Sequence, residues 1–182
     1  MDDPRDRDAY LDSVLIGGRE KREIVIVDYN TAWPARFEFQ RDHLKHALGA
    51  RALSIEHIGS TAVPGLAAKP IIDLLVTVSD PDDDKEIVAA MQSVGYELRV
   101  REPGHRMFHT QQRDVHVHLW READPEVERH LRFRDRLRCS PEDRLQYEKL
   151  KRELAARDWS HMQEYADAKG ALIEAIIARA DE

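Results

Sequence analysis

The chain has 182 residues, 42% hydrophobic and 35% charged, with a formal net charge of −7. This length suits one domain, or a compact domain with a helical appendage, and the apolar fraction is enough for a real core. The acidic balance excludes a general nucleic-acid coat, which needs a basic surface, yet leaves room for a small anion in a local basic pocket.

Residues 1–22 carry Asp2, Asp3, Arg5, Asp6, Arg7 and Asp8, then Gly17-Gly18 and a basic run to Arg22. They read as a flexible lead-in with some apolar stickiness at Leu11, Val14, Leu15 and Ile16. The charged start has no apolar stretch of signal-peptide type. No segment reaches the roughly 18 uncharged apolar residues of a spanning helix, so a cytoplasmic protein is expected. Ile24-Val25-Ile26-Val27 is a strand candidate. Trp33-Pro34 opens a helix to about Leu48, with Phe37, Leu44, Ala47 and Leu48 near helical spacing and Gly49 as its stop.

Residues 52–58 and 70–78 form a central strand pair, and the unbroken apolar run of the second predicts burial on both faces. Residues 82–94 read as a helix ended by Gly95, and strands follow at about 96–101, 106–110 and 114–120. In the last of these, strict alternation puts Asp114, His116 and His118 on one face. From Pro125 the pattern turns helical, with helices near 125–138, 141–156 and 160–179; Ser140 is the N-cap of the second and Pro141 its first residue. Cys139, the single cysteine, excludes an internal disulfide and a cysteine-rich zinc site. The class is α+β: an α/β core over 23–122, with a helical segment over 123–182 packed on it.

The densest chemistry lies in residues 56–76, Glu-His-Ile-Gly-Ser-Thr-Ala-Val-Pro-Gly-Leu-Ala-Ala-Lys-Pro-Ile-Ile-Asp-Leu-Leu-Val. A Gly59-Ser60 turn at a strand end, with Thr61 beside it, offers backbone N–H groups and hydroxyls to phosphate oxygens. Asp73, inside the next apolar run, is a carboxylate placed to hold a divalent cation over the same phosphates. An unpaired buried carboxylate is costly, so a metal, Lys69 or a histidine is expected to meet it. Polymerase-β-type nucleotidyltransferases use such a turn followed by two acids two residues apart, which share one side of a strand and grip metal ions. Here the second position is Leu75. His116 and His118 are the candidates to replace the missing acid as metal ligand or proton-transfer group, against the plainer reading of a polar sheet face.

The run from His57 to Asp73 resembles the signature of the GrpB family, small bacterial proteins of the nucleotidyltransferase-like superfamily that also occur fused to dephospho-coenzyme A kinases. Tyr29…Trp33-Pro34…Phe37 is similar to the family's opening, His116-Val117-His118 to its later strand motif, and Phe133-Arg134-Asp135…Leu137-Arg138, Tyr147…Leu150-Lys151 and Tyr165…Lys169 to its helical tail. The likeness spans roughly residues 24–179. It implies a nucleotidyltransferase-like mixed sheet flanked by helices, a phosphate contact at Ser60 and a metal role for Asp73.

The expected ligand is a nucleotide or phosphorylated metabolite bound with Mg2+, with Asp73, His116 and His118 as catalytic candidates. His57, Gly59, Ser60, Thr61, Lys69, Arg134, Lys151 and Lys169 are the binding candidates, and Asp73 and His116 the metal ligands. Nucleotidyl or phosphoryl transfer is the implied reaction class, and a coenzyme A connection is implied only through the fusions. The main competing reading is a catalytically degenerate ligand-sensing or docking module of the same fold. A third is a histidine metal site in which His57, His116 and His118 converge.

Overall fold

Five strands make one mixed sheet in this computed structural model, which describes residues 4–181. They are β1 (Ser54–Ile58), β2 (Ile72–Val78), β3 (Tyr96–Glu102), β4 (His105–Thr110) and β5 (Val115–Arg121), in the spatial order β1-β2-β5-β4-β3. Only β2 and β5 run parallel; the other neighbours are antiparallel. The register sets Asp73 beside Ile58 on one side and His116 on the other, and Leu75 beside Glu56 and His118. Period-two alternation does the rest. Leu74, Val76 and Val78 with Val115, Val117 and Leu119 form one apolar face, while Asp73, His116 and His118 belong to the other.

The apolar face packs against α2 (Trp33–Leu48) and α3 (Asp84–Ser93). Trp33, Phe37, Leu44, Leu48, Ile87 and Met91 from these helices join the strand residues in the main core. Asp83 caps α3 by accepting from the Glu86 N–H. The opposite, polar face lies beneath the C-terminal helices α4 (Pro125–Cys139), α5 (Pro141–Ala155), α6 (Met162–Asp167) and α7 (Gly170–Ala178). A second core of Val63, Leu66, Leu137, Tyr147 and Ile176 fixes this helical layer to the segment after Ser60. Ser140 caps α5 with Pro141 at its start, as the sequence predicts. The architecture is the expected α+β sheet with flanking helices. Among the described residues no helix is long and apolar enough to cross a membrane.

Three stretches differ from the sequence reading. Pro4–Val14 form α1, a helix whose Leu11 and Val14, with Leu15 just after it, bury against Val100; the apolar spacing in the charged lead-in is enough for one packed turn and more. Residues 24–27 do not join the sheet. Val27 makes only an isolated bridge to Ala68, with Val25 and Val27 exposed, because the partner is a loop with no ladder to extend. The helix expected over 160–179 is two helices, broken at Ala168 and Lys169 just before Gly170, a poor helix former.

Candidate functional site

Gly59 has φ +69°, a backbone angle that favours glycine, and a Cβ built there would lie 2.4 Å from Asp73 Oδ2. The glycine is therefore required twice, by the turn and by the approach of the carboxylate. After it, Ser60–Ala62 form a short 3-10 turn. The Ser60 hydroxyl receives a hydrogen bond from Lys151 Nζ at 3.1 Å. Lys151 donates in addition to the Ala67 carbonyl.

These groups open on a cavity of about 350 Å³ between the polar sheet face and the C-terminal helices. Four cationic side chains line it, Lys69, Lys151, Lys169 and Arg129, and Asp73 is the one carboxylate among its lining residues. Tyr165 carries two of the amines on its ring, Lys169 at 4.5 Å and Lys69 at 5.2 Å from the centroid, and Tyr147 carries Lys151 at 4.9 Å. Burial, then the charge of Lys169, pushes Lys151 down to about 7. Burial, then Lys69, takes Lys169 down to about 8. Lys69 is lowered by burial in spite of Asp73. Arg129 is already paired with Glu126 and Glu174, whereas the three lysines are buried with Asp73 as the one carboxylate lining the cavity, and an anion placed among them would favour their charged form.

Asp73 faces this enclosure from the sheet. Burial alone would raise its carboxyl, but the His116 hydrogen bond and the charges of His116, His118 and Lys69 hold it below the usual carboxylate range. His116 Nδ1 lies 3.3 Å from Asp73 Oδ1. His118 is pushed well down by burial, with His105 and His130 acting in the same direction, and His130 is likewise lowered by burial.

Of the residues singled out from sequence, Gly59, Ser60, Thr61, Lys69, Asp73, His116, His118, Lys151 and Lys169 line this one cavity. Two do not. His57 lies one residue before Ile58, so alternation turns it to the α2 face, where it stacks on Phe37 at 4.7 Å and meets Thr61 Oγ1 at 3.1 Å. Burial there drives its ring down to about 4. It is a packed core histidine, and a convergence of His57 with His116 and His118 does not occur. Arg134 is a clamp that binds Glu56, Asp135 and the His57 carbonyl. Thr61 spends its hydroxyl on the Ile71 carbonyl and His57, so its part in the cavity is to shape the turn.

The donor set bears directly on the expected cation. Among the described residues no three His, Cys, Asp or Glu side chains are grouped to hold a metal. Leu75, at the position of a second acid, is fully buried between Glu56 and His118, and Glu56 is already held by Arg134. What remains is Asp73 with His116. That set suits Mg2+ only as an ion arriving with phosphates and its own waters, a common mode for this cation.

Arg129, His130, Tyr147 and Tyr165 line the cavity without having been among the sequence candidates for it. The tyrosines had a legible signal: Tyr147 and Lys151, four apart on α5, share one helical face, and Tyr165 and Lys169 have the same spacing although Lys169 falls in the break after α6. Arg129 and His130 had none, since arginine and histidine on a charged helix usually face water.

The sheet and its enclosure define an α+β protein with a sheet-backed cavity lined by cationic side chains. The chain belongs to the GrpB family: the family model described as GrpB protein matches residues 23–179. It is 47% identical over 166 residues to a UPF0157 protein of Streptomyces coelicolor, covering 91% of this chain and 89% of that one. It is 29% identical over 176 residues to the glutamate-rich protein GrpB of Alkalihalophilus pseudofirmus, covering 88% of this chain and 97% of that one. The crystal structure of the GrpB protein from Enterococcus faecalis superposes with a TM-score of 0.77 at 35% identity, covering 86% of this chain and 96% of that one. A shorter likeness, 39% identical over 74 residues, is to a dephospho-CoA kinase of Mycolicibacterium paratuberculosis; it covers 39% of this chain and 18% of that protein.

Proposed function

We propose that this protein binds a nucleotide or another small phosphorylated metabolite in the cavity between its sheet and its C-terminal helices. The carrying observation is that the Gly59-Ser60 turn and three lysines from separate parts of the chain line one enclosure with a single carboxylate. Ser60 and Lys151, already in contact, take phosphate oxygens, and Lys69 and Lys169 balance their charge. Phe133, Ile173 and Ile177 supply an apolar wall for the rest of the ligand. If Mg2+ enters with the ligand, Asp73 is the carboxylate that would hold it. A nucleotidyl or phosphoryl transfer here would have Asp73 as its only acidic metal ligand and His116 or His118 as the proton-transfer group.

Calorimetric titration of the purified chain tests this reading. The titrants are inorganic phosphate, nucleoside triphosphates and coenzyme A-type phosphates, each with and without Mg2+; the last class is motivated by the dephospho-CoA kinase likeness. We expect binding that Lys151→Met weakens at least about tenfold, through loss of a charge-assisted bond. No binding by any of these compounds would overturn the reading.

The second reading, a degenerate sensing or docking module, is favoured by buried Leu75 and by the engagement of Glu56 with Arg134. Ligand binding without product from any member of the panel, unchanged by Leu75→Asp, selects it.

A further inference from the structure

A chain of three side chains runs from the edge of the sheet to the cavity. Glu102 ends β3, His105 begins β4 and His118 stands on β5. Glu102 Oε2 lies 2.7 Å from His105 Nδ1, and His105 Nε2 lies 3.3 Å from His118 Nδ1. The two imidazoles have centroids 5.5 Å apart and planes 3° from parallel. With nitrogens that close and centroids that far apart, the rings lie edge to edge in nearly one plane, as an in-plane N–H···N bond requires. Trp120 stacks on the His105 ring at 4.0 Å and holds its orientation.

The chemistry of the partners gives the chain a direction. A carboxylate only accepts, so the proton between Glu102 and His105 sits on His105 Nδ1. Tyr10 donates to the other oxygen of the same carboxylate, and the hydrogen bond from His105 keeps that carboxyl below its usual range. In its neutral form His105 carries a single N–H, and Nε2 is then an acceptor. The proton between the histidines then belongs to His118 Nδ1. His118 Nε2 is left without its proton, has no hydrogen-bond partner among the described residues, and belongs to a residue lining the cavity.

We propose that Glu102 and His105 are positioning residues that fix His118 as its Nδ1–H tautomer, so that an unprotonated Nε2 faces the cavity and accepts a proton-bearing group of the ligand. For the ligand, this inference rests on the phosphorylated-compound reading above and narrows it: besides its anionic group, the compound carries a hydroxyl or amine N–H that meets His118. The cavity then has two unlike ends. Ser60 and the lysines hold the anion, and His118 selects a donor. The same nitrogen is the group available to take a proton from that hydroxyl in any transfer reaction at this site.

The tautomer is read directly from two-bond nitrogen–proton correlation spectra of the full chain labelled with 15N-histidine, at a pH above the ordinary histidine range. We expect His118 with Nδ1 protonated and Nε2 bare. In His105→Phe, which keeps a flat ring on Trp120 but removes the acceptor, we expect the His118 proton to redistribute to Nε2. A native His118 protonated on Nε2, or an Nδ1–H tautomer unchanged in His105→Phe, would overturn the relay. Titration with glycerol phosphate against propyl phosphate reads the selectivity: the hydroxyl-bearing compound should bind about threefold to tenfold tighter, the worth of one hydrogen bond, with the preference lost in His105→Phe. Equal affinities overturn the hydroxyl preference. Failure of both to bind counts against the phosphorylated-ligand reading, and the spectra decide the relay independently.

Discussion

The two faces of one sheet differ as sharply as two proteins would. On the side of α2 and α3, Leu74, Val76, Val78, Val117 and Leu119 are at most 1% exposed and meet other hydrocarbon. On the side of the C-terminal helices the same strands present Asp73, His116 and His118 to a cavity rimmed with lysine. Adjacent residues fall on opposite sides of this division. His57 is a core ring, whereas Ile58 lines the cavity; Leu74 is core, whereas Asp73 is the site carboxylate. One face supplies the packing free energy that lets the other keep desolvated amines, which are unfavourable where they stand.

Breaking the apolar side should have the largest effect. Leu74→Ala removes a fully buried side chain, and a loss of about 2–5 kcal/mol in urea-unfolding free energy is expected, the usual range for such core truncations. A loss below about 1 kcal/mol would show that this face is not the tightly packed half of the molecule.

The cavity side should show itself through pH. Lys151 and Lys169 stand at about 7 and about 8 in the folded chain, against an ordinary value of 10.5. The unfolded chain therefore binds more protons between these values, so stability rises with pH through that window. The cost of charging the buried amines is fully present below about 7 and fades towards 10.5. Denaturant titrations across that window should show this rise, and the double variant Lys151→Met with Lys169→Met should flatten it. A native slope equal to that of the double variant would contradict the burial of these amines.

The smallest effect separates the faces most cleanly. His57→Phe keeps a flat ring against Phe37 and gives up one hydrogen bond to Thr61, a change of about 0.5–1.5 kcal/mol, and phosphate affinity should stay at the native value. A large drop in phosphate affinity at full folding would place His57 in the site after all.

Much of this division is written in the chain. The alternation of residues 114–120 put His116 and His118 together, and the Gly59-Ser60 turn with Asp73 located the sheet end at which the cavity opens. The phase of β1 was the missing piece for His57. Its strand is short, and without a partner register the sequence does not say which of His57 and Ile58 turns inward to α2. Arg134 and Lys151 look alike as cations on helices. Only the docking of α4 against β1, and of α5 over the Ser60 turn, makes one a clamp for Glu56 and the other a lining of the cavity. Glu102 and His105 escaped notice because their link to His118 runs across strands, between residues whose spacing carries no signature. The charged start hid α1, since three apolar contacts suffice to pack it.

The chamber is a seam with two owners: its floor comes from the strands and the Ser60 turn, its roof from α4–α7. Neither half contains a receptor by itself. A ligand held as proposed would act as a peg between the two, gripping the roof through Lys151 and Lys169 and the floor through Ser60. Occupancy and the firmness of the roof on its floor are then one property of the molecule, and a guest would be felt at the carboxyl-terminal end of the chain as well as in the hollow itself.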